Sequence, residues 1–380
     1  MARRFNIIHR ETALLAGLIV VIAAFFSVTT FAARVYHRKQ EQFGTVWFER
    51  GEQALRMARP AEAVEDFHNA LAYSPDNDLY RLRLAEALMA DNRPREARSH
   101  LLSLWEKEPG DGTINLELAR LAAMWGDTRQ AVRYYHAAIY GVWLDEPTAH
   151  RWQIRFELIQ YLLQRNTLQD TKDAQAELVA LAGELLPQDT AGQMRLGTLF
   201  LRAGLDARAL AAFRTALTAQ PNLMPALQGA GEAAFQMGEY QIARHYLLPV
   251  VAQNPGDQHS LELLNLSELV IKLDPSERGL PSQKQARRAL HDFQLALTRA
   301  QKCVPAAVPA EASSGGDLAT LVQQARSMKL TQKALATDPH ALERTIDLVF
   351  KLEKAAAQCG PPGLEDKALA LLGQRWEASR

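Results

Sequence analysis

A set of small and large residues recurs every 34 residues, and this period constrains the fold of the chain more than any other feature. Small residues recur at one position, as Gly51, Ala85, Ala119, Gly197 and Gly231. An alanine follows twelve residues later, and a larger apolar residue four residues beyond it, as in Ala63 with Phe67 and Ala209 with Phe213. Small side chains let two helices approach closely, and the larger one fills the space beside them. The period therefore predicts closely packed helix pairs.

Turn residues and prolines recur with the same period. The residues between paired helices are Ala58, Asn92, Gly126, Gly204 and Gly238, and the closing prolines are Pro75, Pro109, Pro221 and Pro255. A helix–turn–helix unit of this length resembles the tetratricopeptide repeat family. The resemblance implies an all-α fold, a right-handed superhelix of stacked helix pairs known as a tetratricopeptide solenoid.

The period divides the chain into an array at 44–302, a linker at 303–316 and a helical end-piece at 317–380. The regular units are 44–77, 78–111, 112–145, 190–223 and 224–257, and the irregular ones are 146–189 and 258–302. The linker is rich in Pro, Ala, Ser and Gly. The end-piece is predicted to cap the last repeat, because a terminal repeat must cover an apolar face.

The amino terminus contains a long uncharged stretch. Residues 12–33 carry no charge, and about 22 helical residues span about 33 Å, enough to cross a bilayer. We expect a transmembrane helix here, with a cleaved signal peptide as the alternative. A short tail at 1–11 that carries Arg3, Arg4 and Arg10 is hard to translocate. The tail is therefore predicted to be cytoplasmic, and the carboxy-terminal domain periplasmic or extracytoplasmic.

The composition argues against several classes of function. Lys+Arg and Asp+Glu are both 43, so there is no excess positive charge to hold nucleic acid. The histidines have no ligand spacing, and motifs such as HExxH, CxxC, GxSxG and a phosphate loop are missing. The sequence therefore predicts neither an enzyme nor a cofactor or metal site.

The chain has two cysteines, Cys303 and Cys359. In an oxidising compartment a disulfide between them would tie the end-piece to the array. The alternative is a pair of buried free thiols.

The resemblance also implies a binding groove, because the first helix of each unit lines the concave face where peptides bind in this family. The predicted groove residues are Phe48, Glu52, Leu79, Leu82, Arg83, Glu86, Met89, Leu116, Arg120, Met194, Arg195, Glu232 and Phe235. Members that hold a terminal carboxylate use Lys, Asn and Arg, whereas this chain has Phe48, Glu52, Arg83, Thr113 and Glu117 at those places. The mixed face favours an amphipathic helix or an extended apolar peptide. Alternatively, the end-piece fills the groove or these residues belong to the core.

These features predict a membrane-tethered protein–protein interaction scaffold or assembly factor. Its partners would be one or more proteins, membrane-associated in view of residues 12–33, with no nucleic acid and an oligomeric state left open. The alternatives are a self-associating structural subunit of a membrane complex, or an accessory subunit of an enzyme such as a glycosyltransferase.

Overall fold

The computed structural model describes the backbone of residues 2–303 and 316–378, and the side chains within 25–303 and 318–378. Regular structure in these residues is helical, apart from one isolated β-bridge between Asp111 and Val142. The predicted all-α class is confirmed. The predicted tail at 1–11, residues 12–24 of the predicted transmembrane helix and linker residues 304–315 lie outside the residues whose side chains are described.

The helices follow one another through two compact units, unit 1 (Met1–Tyr161) and unit 2 (Leu162–Arg380). They are α1 (Ala2–Arg56), α2 (Pro60–Tyr73), α3 (Asp78–Ala90), α4 (Pro94–Lys107), α5 (Gly112–Met124), α6 (Thr128–Ile139), α7 (Pro147–Arg165), α8 (Leu168–Glu184), α9 (Thr190–Arg202), α10 (Asp206–Ala219), α11 (Met224–Gln236), α12 (Tyr240–Gln253), α13 (Gln258–Leu273), α14 (Ser282–Cys303), α15 (Gly316–Ser327), α16 (Gln332–Thr337), α17 (Pro339–Ala355) and α18 (Leu364–Ala378). A 3₁₀ turn at Ala356–Gln358 separates α17 from α18.

The recurring small and large residues form the contacts within each helix pair. A Cβ atom added at Gly51 would lie 2.7 Å from the ring of Phe67, and one at Gly197 would lie 2.6 Å from the ring of Phe213. Ala63 and Ala209 have no exposed surface. The close approach that the sequence pattern predicts is therefore present in both units.

The turn between paired helices needs a left-handed backbone. Gly204 has φ +71°, and a Cβ atom added there would have no neighbour within 4 Å, so the backbone angle and not a lack of space favours glycine. Asn92 takes the same conformation at φ 59°. The turn residues of the repeat thus stop the first helix and let the chain reverse.

Within each unit, the first helices of successive pairs also pack on one another. Helix α3 contacts α5 in unit 1, and α11 contacts both α9 and α13 in unit 2. We call the side chains that these helices expose the first-helix surface of that unit.

The first helix is longer than the repeat requires. Helix α1 has 55 residues and continues without a break into the first repeat, because no proline interrupts it and Gly44 is accommodated within it. Among the residues whose side chains are described, no helix has a segment both long enough and apolar enough to span a bilayer.

The carboxy-terminal helices pack on the last repeat of unit 2. Helix α17 lies against α14, and α18 lies against α13. Arg299 of α14 donates to Glu353 of α17 over 2.7 Å, and the Glu353 side chain is buried. Cys303 at the end of α14 is bonded to Cys359, with their Cα atoms 5.4 Å apart. The end-piece is thus held by an ion pair and a disulfide.

Candidate binding surface

Arg83, a predicted groove residue, is already engaged within unit 1. Its Nε lies 2.8 Å from Oε1 of Glu52 on α1, and its Nη1 donates to Oε2 of Glu86 over 2.6 Å. All three are predicted groove residues, and the structure does bring them together. The guanidinium therefore joins two first helices, and its role in holding the array must be separated from any role in binding.

Arg120 has the same role in the next repeat. Its Nε and Nη2 donate to the two carboxylate oxygens of Glu157 over 2.9 and 2.8 Å, and its Nη1 donates to Glu117 over 2.6 Å. Tyr135 also donates its hydroxyl to Glu157 over 2.9 Å. A bidentate pair of this kind fixes the orientation of the guanidinium. The sequence pattern identified Arg120 but not Glu157, because Glu157 lies in the irregular unit.

The two carboxyls that share Arg120 differ in their pKa. Burial raises the pKa of Glu117 to about 7, and the nearby carboxylates of Glu86 and Glu157 add to this, although Arg120 opposes it. Burial also acts to raise the pKa of Glu157. The charge and hydrogen bonds of Arg120, together with the hydrogen bond from the Tyr135 hydroxyl, outweigh burial and hold this pKa below its ordinary value. Arg120 is therefore chiefly the partner of an ionised Glu157.

The apolar groove residues of unit 1 differ in exposure. Leu79 is 54% exposed, whereas Leu116 is buried. Phe48 is half-buried and stacks on Tyr80 with ring centroids 4.7 Å apart. Leu82 and Met89 are also half-buried. Leu116 thus belongs to the core, which was the alternative for these positions, and Leu79 offers the most apolar surface to a partner.

The first-helix surface of unit 2 is partly covered by the end-piece. Phe235 is buried and lines a cavity of about 340 Å³ together with Leu266 of α13 and Leu371 of α18. Met194 is half-buried, Arg195 is exposed, and Glu232 lies 3.9 Å from His259. Phe235 and the end-piece helix α18 therefore line the same cavity.

A second pocket, in unit 1, was not predicted from the sequence. It has a volume of about 420 Å³, and five carboxylates line it, those of Glu86, Asp111, Glu117, Asp145 and Glu157. Arg120 and His150 also line it. The only signal in the sequence was the irregular end of the third unit, where Trp143 stands in place of the closing proline.

One side of this acidic pocket is formed by Val142, Trp143 and Leu144, which belong to a short loop at residues 140–144 that we call the finger. Gly112 donates to the carbonyl of Val142 over 3.0 Å, and Val142 donates to the carbonyl of Gly110 over 2.8 Å. Trp143 packs on Gly112, where a Cβ atom would overlap the indole, and it stacks on His150 at 4.3 Å. Its Nε1 donates to the Ala138 carbonyl over 2.9 Å. The hydrogen bonds to Gly110 and Gly112, together with the packing of Trp143, therefore fix the backbone of the finger.

The finger exposes three large side chains, and the hydroxyl of one of them, Tyr140, accepts a hydrogen bond from Arg155 over 3.2 Å. Tyr140 is 69% exposed, Val142 is 70% exposed and Leu144 is 99% exposed. Single exposed apolar residues are common on protein surfaces, but three within five residues beside a pocket form a candidate interaction site.

The described residues hold no group of three or more His, Cys, Asp or Glu side chains that could bind a metal ion.

Comparison with known proteins supports the repeat assignment. Family models described as tetratricopeptide repeat match residues 54–113 and 167–223. A search of curated proteins gives no match.

Among solved structures, YrrB, described as a TPR protein with an unusual peptide-binding site, is 17% identical and covers 52% of this chain and 97% of its own, with a TM-score of 0.40. The Pseudomonas aeruginosa protein pilF is 13% identical over 59% of this chain and 97% of its own, with a TM-score of 0.42. PilW, described as a type IV pilus biogenesis factor, is 18% identical over 59% and 99%, with a TM-score of 0.41. These likenesses carry no information about the partner of this chain.

The family models show that one stretch of each unit, 54–113 in unit 1 and 167–223 in unit 2, consists of tetratricopeptide repeats.

Proposed function

We propose that this chain is a protein-interaction scaffold that binds a segment of a partner protein on the first-helix surface of unit 1. Tetratricopeptide repeat proteins generally act as scaffolds of this kind, and their stacked helices present an extended surface for partners. The observation that carries the proposal is the acidic pocket with its exposed finger, which adjoins Glu86, Glu117 and Arg120 on that surface.

The finger is not needed to build the repeat, and this supports a role in binding. Unit 2 forms its regular helix pairs without an equivalent in the sequence, since Pro221 and Pro255 close its repeats. Leaving Val142 and Leu144 exposed forgoes the stabilisation of burying them, on the order of 1.5–3 kcal/mol per fully buried side chain. A partner that covers them would recover some of this free energy.

Photocrosslinking in cells tests the proposal. A photoreactive amino acid replaces Leu79, which is exposed on α3, or Ser99, which is exposed on α4, the second helix of the same repeat. We expect a discrete crosslinked protein from position 79 and none from position 99. Equal crosslinking from both positions, or crosslinks only to a second copy of this chain, would contradict the proposal. The second outcome would favour a self-associating subunit.

The scaffold is further proposed to be tethered to a membrane through residues 12–33, with its array on the extracytoplasmic side. Two features support this: the absence of charge over residues 12–33, and the exposure of Phe25, Phe26 and Phe31 on α1. The full chain is expected in the membrane fraction, and to resist extraction by high salt or alkali. A reporter that is active only in the cytoplasm, fused after Arg380, is expected to be silent. An active reporter would overturn the orientation, and a freely soluble chain would overturn the tether.

A further inference from the structure

We infer that the acidic pocket of unit 1 receives a lysine or arginine side chain of the partner, while the finger packs against an apolar residue next to it. This inference rests on the proposed function and specifies the chemistry of the partner segment. It concerns the surface formed by the pocket residues together with Val142 and Leu144.

The backbone that carries the exposed apolar side chains of the finger is held in place. The finger is bonded through its backbone to Gly110 and Gly112, and Trp143 anchors it by packing on Gly112 and bonding to the Ala138 carbonyl. The backbone that carries Val142 and Leu144 therefore loses little conformational freedom when a partner covers these side chains. A surface that is ordered before binding lowers the entropic cost of association.

The lining of the pocket has more acidic than basic side chains. Arg120 is the only lysine or arginine among the described residues that line it, against five carboxyl groups, and four of these remain when the buried Glu117, with its pKa raised to about 7, is left out. Arg120 is saturated by Glu117 and Glu157, and Arg83 is shared between Glu86 and Glu52. Asp111 accepts a hydrogen bond from the backbone of Ile114, which leaves its negative charge in place.

Negative charge therefore remains in excess, and a cationic side chain is the complementary occupant. A lysine or arginine entering the pocket would form charge-assisted hydrogen bonds with carboxylates that are already oriented. An anionic lipid surface or a nucleic acid would instead be repelled by the same carboxylates. The finger selects only for apolar surface, so the carboxylates of the pocket make the distinction between a cationic and an anionic partner.

The volume of the acidic pocket also suits such a side chain. At about 420 Å³ the pocket lies within the range of small-ligand sites, so it has room for one long side chain. A segment with a basic residue beside a large apolar one can therefore place the first in the pocket and the second on Leu144.

The test begins with a displayed library of random peptides selected on the purified full chain. We expect enriched peptides to carry Lys or Arg next to a large apolar residue. The best peptide is then synthesised with a fluorescent label, alongside a version in which its basic residue is replaced by Gln. We expect the Gln version to bind about tenfold more weakly, and the binding of the parent peptide to weaken as salt is raised.

Matched variants locate the binding site. Leu144→Ser and Asp145→Asn, both at exposed positions, are expected to weaken binding of the parent peptide by about tenfold and about threefold, respectively. Leu168→Ser and Asp76→Asn alter exposed residues of the same types elsewhere and are expected to leave it unchanged. Thermal unfolding of each variant checks that the fold is retained.

The outcomes separate this inference from the proposed function. Enriched peptides without a basic residue, or equal effects of the pocket variants and their controls, would overturn the inference. So would binding of the finger to vesicles of anionic lipid in preference to the peptide. A protein crosslinked from position 79 would still support the scaffold in each of these cases.

Discussion

At the scale of single residues, the charged side chains on the first-helix surface of unit 1 pair with one another and so stabilise the fold. Arg120 joins Glu117 on its own helix to Glu157 on α7. The pattern of the repeat predicted that Arg83 and Arg120 face the groove, but it could not predict their ion pairs. Pairing depends on which acidic side chains come into reach, and Glu157 lies in a unit where the period is lost.

Replacing Arg120 with methionine is expected to destabilise the protein. The change keeps much of the side-chain bulk but leaves the Glu117 and Glu157 carboxyls without a cation. Loss of one partner from a buried pair costs about 3–5 kcal/mol, and because the Arg120 side chain is 37% exposed we expect about 2 kcal/mol. Urea unfolding followed by circular dichroism measures this. Arg93→Met, which removes an exposed pair with Glu96, is the control and is expected to leave the midpoint unchanged. Equal shifts for both variants would contradict the structural role of Arg120.

Glu117 is expected to make stability depend on pH. Its pKa is about 7 in the folded protein, above the ordinary value of 4.5. Below about pH 4.5 the carboxyl is protonated in both states. As the pH rises from there to 7, the unfolded state loses the proton first, so the free energy of unfolding falls, by an amount on the order of 3 kcal/mol in total.

The variant Glu117→Gln removes this titration and retains a hydrogen-bonding side chain. We expect the difference in the free energy of unfolding between the variant and the wild type to move in favour of the variant from pH 5 to pH 7.5. Urea unfolding at several pH values gives this difference. A difference that is constant with pH would show that Glu117 titrates normally.

At the scale of the elements, the close contact between paired helices depends on the small residues of the repeat. A Cβ atom at Gly197 would meet the Phe213 ring at 2.6 Å, whereas one at Gly183 in α8 would have no neighbour within 4 Å. Both residues lie in helices of unit 2. The two glycines therefore separate the effect of packing from the helix propensity of alanine.

We expect Gly197→Ala to destabilise the protein by about 1–3 kcal/mol through overpacking. We expect Gly183→Ala to stabilise it by about 0.5–1 kcal/mol, because alanine restricts the unfolded chain and favours the helix. Thermal unfolding of the two variants gives the comparison. A stabilising effect at position 197 would show that the helix pair is looser than described.

The elements also show how far the sequence could be interpreted. Positions that repeat with the period, such as Ala209 and Phe213, are buried as predicted. Every helix pair packs in the same way, so the same kinds of residue recur at the same positions. The finger could not be derived in this way. Its conformation depends on one local contact, the packing of Trp143 on Gly112. A contact that occurs once does not produce a repeating pattern in the sequence.

At the scale of the whole molecule, the two units present different first-helix surfaces. In unit 1 the pocket and Leu79 are open, whereas in unit 2 Phe235 is buried and lines a cavity that the end-piece also lines. The sequence offered both possibilities, a groove for a partner and a groove filled by the end-piece. It could not assign them to different regions of the array, because the end-piece lacks the period that would define its position.

The disulfide between Cys303 and Cys359 is expected to form in the native protein and to stabilise the end-piece. The bridge joins residues 56 apart, and closing a loop of this length contributes up to about 4 kcal/mol in the chain-entropy model. Replacing both cysteines with serine is expected to raise amide exchange in α17 and α18 while leaving α3 and α5 unchanged. Peptide mapping under non-reducing conditions checks the bond itself. Two free thiols in protein isolated from its native compartment would contradict the prediction.

If a partner protein covers the first-helix surface of unit 1 in the cell, covalent footprinting detects the lost exposure of its side chains. Side chains are oxidised by hydroxyl radicals in native membranes and, separately, in the purified chain. We predict that Leu79 and Leu144 react in the purified chain but are protected in membranes, while Leu168, which is 75% exposed in unit 2, reacts equally in both. Equal reactivity of Leu79 and Leu144 in the two samples would contradict the account.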